Sequence, residues 1–251
     1  MPNHSRTAGW GAVGVGAYAA ALIATAPATL ADARLQDASG GRLRLAEAQG
    51  TLWSGSGQLE VRDASGGIGL ATRLAWRLRP TELRSAQLAY EVELGTDLRP
   101  FSTTISWSRI EVADADISMP VAALGLGVPR LAPLGLTGDL LIHIANLSVA
   151  RYGVVGAATL RWRDAGSALT PVSPLGDYEA RLDGEGMTVH ALLRTIEGPI
   201  QLDGKGSWTR GGSPVFLATA QIPPQYQQQL APLLRLIAVE RSEGHFELQL
   251  N

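Results

Sequence analysis

The sequence predicts a mainly β protein, in which one N-terminal transmembrane helix precedes a curved, twisted antiparallel sheet of repeated strand-and-turn units. Three observations predict it. After residue 41, apolar and polar residues alternate in many short runs, which is typical of strands with one buried and one solvated face. Glycine accounts for 29 of the 251 residues and falls between many of these runs. Residues 9–30 are uncharged and numerous enough to cross a bilayer.

The uncharged N-terminal segment predicts a membrane anchor. Residues 7–31 contain no charged side chain, with Arg6 before them and Asp32 after them. The anchor residues expected to provide interfacial aromatic rings, small-residue packing or apolar contact are Trp10, Gly14, Tyr18, Leu22 and Ile23. Because Arg6 favours the cytoplasmic side, we expect residues 1–31 to form a cytoplasmic tip and single-pass anchor, and residues 32–251 to form a periplasmic β domain.

A cleaved signal peptide is the alternative interpretation of this segment. Ala24, Thr25 and Ala26 form the A-x-A pattern of a signal-peptidase site, and the surrounding Ala- and Gly-rich composition is only mildly apolar. Both interpretations place the chain after Asp32 outside the cytoplasm.

Alternation with a period of two divides the rest of the chain into strands. Examples are Leu88, Tyr90, Val92 and Leu94; Leu140, Ile142 and Ile144; and Ala158, Leu160 and Trp162. Two Leu- and Pro-containing segments break this pattern, and we expect short helices near residues 119–131 and 224–237. The first of them separates two β halves, approximately residues 32–118 and 134–251. The sheet is expected to offer its edge strands and a face to partners.

Composition and residue spacing exclude several classes of function. The absence of cysteine excludes disulfides, thiolate metal sites and cysteine nucleophiles. A net charge of only −2 gives no electrostatic basis for binding nucleic acid. The histidines are His4, His143, His190 and His245. No two of them lie at the spacing of a metal site, so we expect neither a metal nor a cofactor.

The candidate catalytic side chains have simpler interpretations. Ser54 and Ser56 lack the G-x-S-x-G elbow of hydrolases, because Leu52 and Ser54 occupy the positions of its first glycine. Asp114 and Asp116 could point the same way from a strand, as paired catalytic carboxylates would, but a solvated strand face explains them. We therefore expect no catalytic residue and no enzymatic activity.

Tryptophans are interpreted as packing residues. Trp76, Trp107 and Trp162 alternate with polar neighbours, as core residues in strands do. Trp53 lies between glycines in residues 50–57, where glycine allows close backbone approach and the indole buries a large area.

Three blocks occur in a fixed order along the chain. The first is Gly50, Thr51, Leu52, Trp53, Ser54 and Gly55, followed by a strand containing Trp76. The second is Pro174, Leu175 and Gly176, and the third contains Gly198, Pro199, Gly204, Gly206 and Trp208. In this order the blocks resemble the protein N family of the type II secretion system, the general secretory pathway of Gram-negative bacteria. Ala238 departs from the glycine that often follows the Leu-rich segment in that family.

The resemblance implies a non-enzymatic accessory or scaffold subunit that supports protein secretion across the outer membrane. Its expected location is the cell inner membrane, single-pass, with the bulk of the chain in the periplasm. The partners it implies are other inner-membrane and periplasmic subunits of the secretion system. The alternative is a periplasmic groove protein that binds or transfers lipid. An open apolar trough would favour lipid binding, whereas a filled, closed core would favour scaffolding.

Overall fold

The computed structural model describes residues 17–18, 21–63, 66–85, 87–95, 99–127 and 129–250. Fourteen strands dominate these residues, which confirms the mainly β, antiparallel prediction. The strands are β1 (Leu43–Gly50), β2 (Ser54–Arg62), β3 (Ile68–Arg79), β4 (Leu88–Leu94), β5 (Phe101–Ile105), β6 (Arg109–Pro120), β7 (Leu136–Ala150), β8 (Gly153–Ser167), β9 (Gly176–Gly186), β10 (Thr188–Glu197), β11 (Gln201–Thr209), β12 (Val215–Gln221), β13 (Val239–Ser242) and β14 (His245–Leu250). The short helices are α1 (Thr29–Ser39), α2 (Leu124–Gly127) and α3 (Gln227–Leu234), with 3-10 turns at Pro80–Ser85, Val121–Ala123, Pro129–Leu134 and Pro224–Tyr226.

The chain divides into two compact units, residues 1–78 and 79–251. In the first unit, β1 pairs with β2 and β2 with β3, all antiparallel. In the second unit the strand order is β4-β5-β6-β7-β8-β9-β10-β11-β12-β14-β13, again with every neighbour antiparallel. From β4 to β12, consecutive strands therefore lie side by side, as expected for chains of hairpins, whereas β14 lies between β12 and β13.

Helix α1 covers the outer edge of β1 in the first unit. The Asp32 carboxylate accepts a hydrogen bond from the backbone N–H of Leu45 at 2.7 Å, and the Ser39 hydroxyl accepts one from Leu43 at 2.9 Å. Burial alone would raise the pKa of Asp32, but hydrogen bonds from Gln36 and Leu45 outweigh it and the pKa is lowered. Because these strand N–H groups are already bonded, α1 covers part of the edge of β1.

The other end of the strand order is also protected. β13 has four residues and, within the described part of the chain, pairs with β14 alone. Glu240 of β13 forms an ion pair with Arg235 at 2.7 Å, and Arg241 forms one with Glu247 at 2.7 Å. A short, charged edge is a poor template for strand addition.

Register gives the second unit one apolar and one polar face. On β8, Ala158 and Leu160 point to the apolar face, opposite Ile144 and Ile142 of β7. Arg161, one residue further along, points to the polar face. The alternation read from the sequence thus corresponds to two physically distinct surfaces.

The two ends of these strands differ. Tight turns join β5 to β6, β7 to β8, β9 to β10 and β11 to β12, and they all lie at one end of the strands, which we call the hairpin end. At the opposite end α3 packs over the apolar face. The core there consists of Ala165, Leu175, Tyr178, Ile200, Ala220, Ile222, Leu230, Ala231, Leu233, Leu234 and Phe246. The apolar face is therefore filled at one end only.

The observed helices and turns agree only partly with those predicted from the sequence. The segment expected near residues 119–131 is a run of short helical turns between residues 121 and 134, and the one near 224–237 contains α3, with Pro232 inside it. Helix α1 was not expected, because its sequence has no apolar stripe at helical spacing. Trp107 was wrongly assigned to the core. It lies in the β5–β6 turn and is fully exposed, so its alternation with neighbouring serines does not come from a strand.

Among the described residues, no helix is long and apolar enough to cross a bilayer. Trp10 and Gly14 of the expected anchor lie outside the described residues. Tyr18, Leu22 and Ile23 are helical and exposed, at 67%, 55% and 60%. The transmembrane helix stays a prediction.

Candidate functional site

The block at residues 50–55 forms a loop between β1 and β2 that holds the segment preceding α1. The Leu52 N–H donates to the carbonyl of Ala26 at 2.9 Å, and the Ala28 N–H donates to the carbonyl of Gly50 at 3.1 Å. The indole Nε1 of Trp53 donates to the carbonyl of Ile23 at 2.8 Å. We call these three hydrogen bonds the N-terminal clasp. They attach residues 23–28 to the first strand pair.

Packing of Trp76 on Gly55 shapes this loop. The indole Nε1 of Trp76 donates to the carbonyls of Thr51 and Leu52, each at 3.2 Å. A Cβ atom at Gly55 would lie 2.5 Å from the Trp76 ring and 2.5 Å from the carbonyl oxygen of Gln49. Only glycine fits under the ring, which explains why glycine and tryptophan occur together in the block and the strand after it.

The Thr51 hydroxyl fixes the turn itself. Its oxygen accepts hydrogen bonds from the backbone N–H groups of Trp53 and Ser54, both at 3.2 Å. The Trp53 side chain is half-buried, so it packs without being enclosed. These contacts make the block a packing and clasping element.

The second and third blocks meet in the second unit. Gly176 at the start of β9 and Gly198 after β10 approach so closely that a Cβ at Gly198 would overlap the Gly176 Cα. The Leu175 carbonyl accepts hydrogen bonds from the Tyr178 hydroxyl at 2.8 Å and from the Ile200 N–H at 3.4 Å. The Leu175 N–H donates to the Ala165 carbonyl at 2.6 Å. These contacts join the two blocks at the filled end of the apolar face.

Beyond that core, the apolar face forms an open trough of about 400 Å³ near the hairpin end. Its lining residues are Leu147, Val154, Gly156, Ala158, Leu182, Gly184, Val189, Ala191, Gly206, Ser207, Trp208, Pro214, Val215 and Phe216. The polar side-chain groups of this set are the Ser207 hydroxyl and the indole N–H of Trp208. The Phe216 ring lies against Gly204 and Gly206 of the third block, where a Cβ would be 2.9 Å and 2.5 Å from it. Glycine at these two positions therefore leaves room for the Phe216 ring.

The model of the type II secretion system protein N family matches residues 41–249 of the chain. The chain belongs to this family. No curated protein and no solved structure matches it.

All three blocks lie inside the matched stretch, and contacts in the structure give each of them a physical role. The first builds the N-terminal clasp, the second and third meet at Gly176 and Gly198, and Gly204 and Gly206 accommodate Phe216. Membership makes the chain an accessory subunit of the type II secretion system that interacts with its other subunits.

The polar face of the second unit contains a cluster that the sequence analysis missed. Glu179 on β9 is 1% exposed and accepts hydrogen bonds from three guanidinium groups: Arg161 at 2.9 Å, Arg181 at 3.1 Å and Arg194 at 2.6 Å. We call these four residues the arginine cluster. Burial alone would raise the pKa of Glu179, but the bonds from Arg161 and Arg194 and their positive charges outweigh it, and the pKa is lowered.

The arginine cluster arises from the alignment of β8, β9 and β10. Arg161 of β8 and Arg194 of β10 lie directly opposite Glu179, and Arg181 lies two residues along the same strand. Each arginine side chain is more than half exposed, whereas the carboxylate is not. The sequence contains a signal for this cluster, because basic residues occupy polar strand positions before and after Glu179. Which of them contact Glu179 could be known only from the alignment of the strands.

The remaining candidate site residues are the histidines and the aspartates of β6. His143 Nδ1 lies 2.7 Å from the Asp116 carboxylate in an exposed cross-strand pair, and His190 lies 4.0 Å from Glu185. Asp114 adopts a positive φ of 53°, which interrupts the regular alternation of β6 beside Asp116. Among the described residues, no three His, Asp or Glu side chains are grouped so that they could hold a metal ion.

Proposed function

We propose that this protein is a non-enzymatic scaffold subunit of the type II secretion inner-membrane complex. In this role its N-terminal segment is retained as a single-pass anchor in the inner membrane. The bulk of the chain stands in the periplasm and supports export across the outer membrane. The observation that carries the proposal is the N-terminal clasp, which ties residues 23–28, at the periplasmic end of the predicted anchor, to the family's first block. Rigid attachment of that kind suits a subunit that must hold a folded domain at a fixed place beside an anchor.

The clasp also favours retention over cleavage. A signal peptidase cutting after Ala26 would remove Ile23, whose carbonyl accepts the Trp53 hydrogen bond, and Ala26, whose carbonyl accepts that of Leu52. The mass of the mature protein distinguishes the two cases. We expect residues 1–26 to be present in protein isolated from membranes. A mature chain that begins at Pro27 would overturn the anchor.

Co-purification tests the scaffold role. The full-length chain and a chain of residues 32–251 directed to the periplasm by a foreign signal peptide are each tagged after Asn251. Each is then extracted in mild detergent. Since two tethered contacts hold at high effective concentration even when each is weak, we expect only the full-length chain to retain the other secretion subunits. Equal retention by the two chains would remove any role of the anchor in assembly.

Reporters fused at the same site, after Asn251, test on which side of the membrane the C-terminus lies. A reporter that is active only after export, fused behind Asn251, should be active, and one that is active only in the cytoplasm should be inactive. The reverse pattern would contradict the periplasmic location.

Lipid binding is a second candidate function, favoured by the open apolar trough. A trough of about 400 Å³ whose lining is almost entirely apolar can accept an acyl chain at little cost in unpaired polar groups. Ala191 points into the trough, whereas its neighbour Leu192 points to the polar face and is exposed. This pair of residues offers a matched test.

We expect Ala191→Trp to reduce the lipid that co-purifies with the full-length chain about tenfold, a loss of roughly 1.4 kcal/mol in binding. Leu192→Trp adds the same indole on the other face and should leave the lipid unchanged. Lipid content is measured by mass spectrometry after detergent exchange. Wild-type protein that carries no lipid, or equal losses in both variants, would rule the trough out as a lipid site.

A further inference from the structure

The hairpin end of the second unit concentrates exposed apolar and aromatic side chains. Trp107 lies in the β5–β6 turn and is fully exposed, Tyr152 in the β7–β8 turn is 79% exposed, and Met187 in the β9–β10 turn is 59% exposed. Trp208, at the end of β11, is also more than half exposed. Every one of four successive hairpins therefore presents a large apolar group at or beside its tip.

The spacing of these groups follows from the strand order. Neighbouring strands lie about 4.8 Å apart, so successive tips are separated by roughly 10 Å and the row extends over roughly 29 Å. Exposed apolar side chains at the adjoining strand ends, Ile110, Val149, Val155 and Val215, continue this row between the tips. A row of protruding side chains suits a deformable surface, into which each of them can insert separately.

The charges of the four turns have one sign. Residues 106–108, 151–152, 187 and 210–214 contain two charged side chains, Arg151 and Arg210. The Arg210 guanidinium donates to the carbonyl of Arg151, which holds the two turns together. Two acids lie close behind the turns: Glu111, which pairs with Arg109 at 3.0 Å, and Glu185, which is exposed and 4.0 Å from His190.

We propose that the hairpin end, defined by Trp107, Tyr152, Met187, Trp208, Arg151 and Arg210, docks on an anionic bilayer surface. Tryptophan and tyrosine favour the headgroup region, where the ring is in an apolar environment and its polar atom stays hydrated. Arginines beside them are attracted to anionic lipid headgroups. The trough lies near the same end, with Trp208 and Val215 in its lining. The docking does not depend on the trough being loaded or on the scaffold role.

Because the sequence contains no cysteine, one introduced cysteine can be labelled at a defined position. Ser108→Cys places a fluorescent label at the β5–β6 tip, and Gln225→Cys places one at the opposite end of the strands, in the turn before α3. The labelled full-length chain is reconstituted into phosphatidylcholine vesicles with or without phosphatidylglycerol. Lipid-borne nitroxides and an aqueous quencher then report where each label lies.

We expect lipid-borne nitroxides to quench the label at residue 108 several-fold more strongly than the label at residue 225, and more strongly when phosphatidylglycerol is present. In the Ser108→Cys background, the pair Arg151→Glu and Arg210→Glu should lower that quenching roughly tenfold, by reversing the attraction to anionic lipid. Trp107→Ser should lower it as well. Unfolding curves establish that each variant is folded.

Three results would overturn the proposal: equal quenching of the two labels, a label at residue 108 that stays open to the aqueous quencher, or quenching that neither charge reversal nor Trp107→Ser changes. Shielding of residue 108 that requires other secretion subunits would identify a protein interface instead. Failure of co-purification, by contrast, would concern the scaffold role alone.

Discussion

The carboxylate of Glu179 lies 2.6 Å from the guanidinium of Arg194, directly across from it on the neighbouring strand. With Arg161 and Arg181 also bonded to it, the buried glutamate links β8, β9 and β10 on the polar face. The charge is stabilised because three guanidinium groups replace the water that burial removes.

Replacing Glu179 by glutamine should therefore lower the free energy of unfolding. Glutamine keeps the shape but loses the charge that the three arginines solvate, and we expect a loss of about 2 kcal/mol at neutral pH. Solvent screening of the half-exposed arginines keeps the loss below that of a fully buried pair. Glu185→Gln on the same strand removes an exposed carboxylate and should cost much less. Equal losses in denaturant unfolding would show that the cluster contributes no special stability.

The stability difference between wild type and Glu179→Gln should depend on pH. Because the folded pKa of Glu179 is lowered, its contribution is complete above the ordinary glutamate pKa of 4.5 and is lost as the pH falls through the folded value. We expect a constant difference above that pH and a shrinking one below it, measured by urea unfolding. A difference that grows on acidification would show that the assigned direction of the pKa is wrong.

Gly55→Ala should destabilise the first unit. The added methyl group would lie 2.5 Å from both the Trp76 ring and the Gln49 carbonyl, and overpacking of this kind costs roughly 1–3 kcal/mol. Gly212→Ala is the control, since the nearest atom to its Cβ is 3.3 Å away. Thermal unfolding of the two variants gives the comparison, and equal melting temperatures would contradict the close packing of Trp76 on Gly55.

Trp53→Phe should loosen the N-terminal clasp. The change removes the hydrogen bond to Ile23 and retains an aromatic ring, so we expect faster amide hydrogen exchange in residues 23–28, corresponding to about 1 kcal/mol. Trp162→Phe removes a bond of the same kind, from Nε1 to the Thr137 carbonyl at 2.9 Å, at a remote place and should leave residues 23–28 unchanged. Trp53→Ala should lower the free energy of unfolding by less than the roughly 3–5 kcal/mol that loss of a fully buried aromatic side chain costs, because Trp53 is only half-buried.

Gly198→Ala should be among the most damaging single changes in the second unit. Gly198 has a φ of 133° and its Cβ would overlap Gly176, so strain and overpacking together should cost at least about 3 kcal/mol. Gly186→Ala is the matched control, because Gly186 also has a positive φ, of 80°, but open space around its Cβ. The difference between the two unfolding free energies isolates the contact, and a difference near zero would show that the second and third blocks do not press together.

The sequence by itself determined the mainly β class, the antiparallel pairing and the family. Alternation such as that of Ala158, Leu160 and Trp162 depends on local spacing, because successive side chains of a strand point to opposite faces. The blocks around Trp53 and Gly198 were recognisable in the sequence because glycine is required where a ring or another backbone approaches.

Only the tertiary structure decided which of these residues meet. The arginine cluster depends on register, since a slip of one residue would move Arg161 and Arg194 to the apolar face. The contact of Gly176 with Gly198, the cover of α1 on β1 and the exposure of Trp107 likewise follow from strand order and turn position. Local alternation determines which face of a strand each side chain lies on. The alignment of strands that are distant in the sequence determines which side chains come into contact.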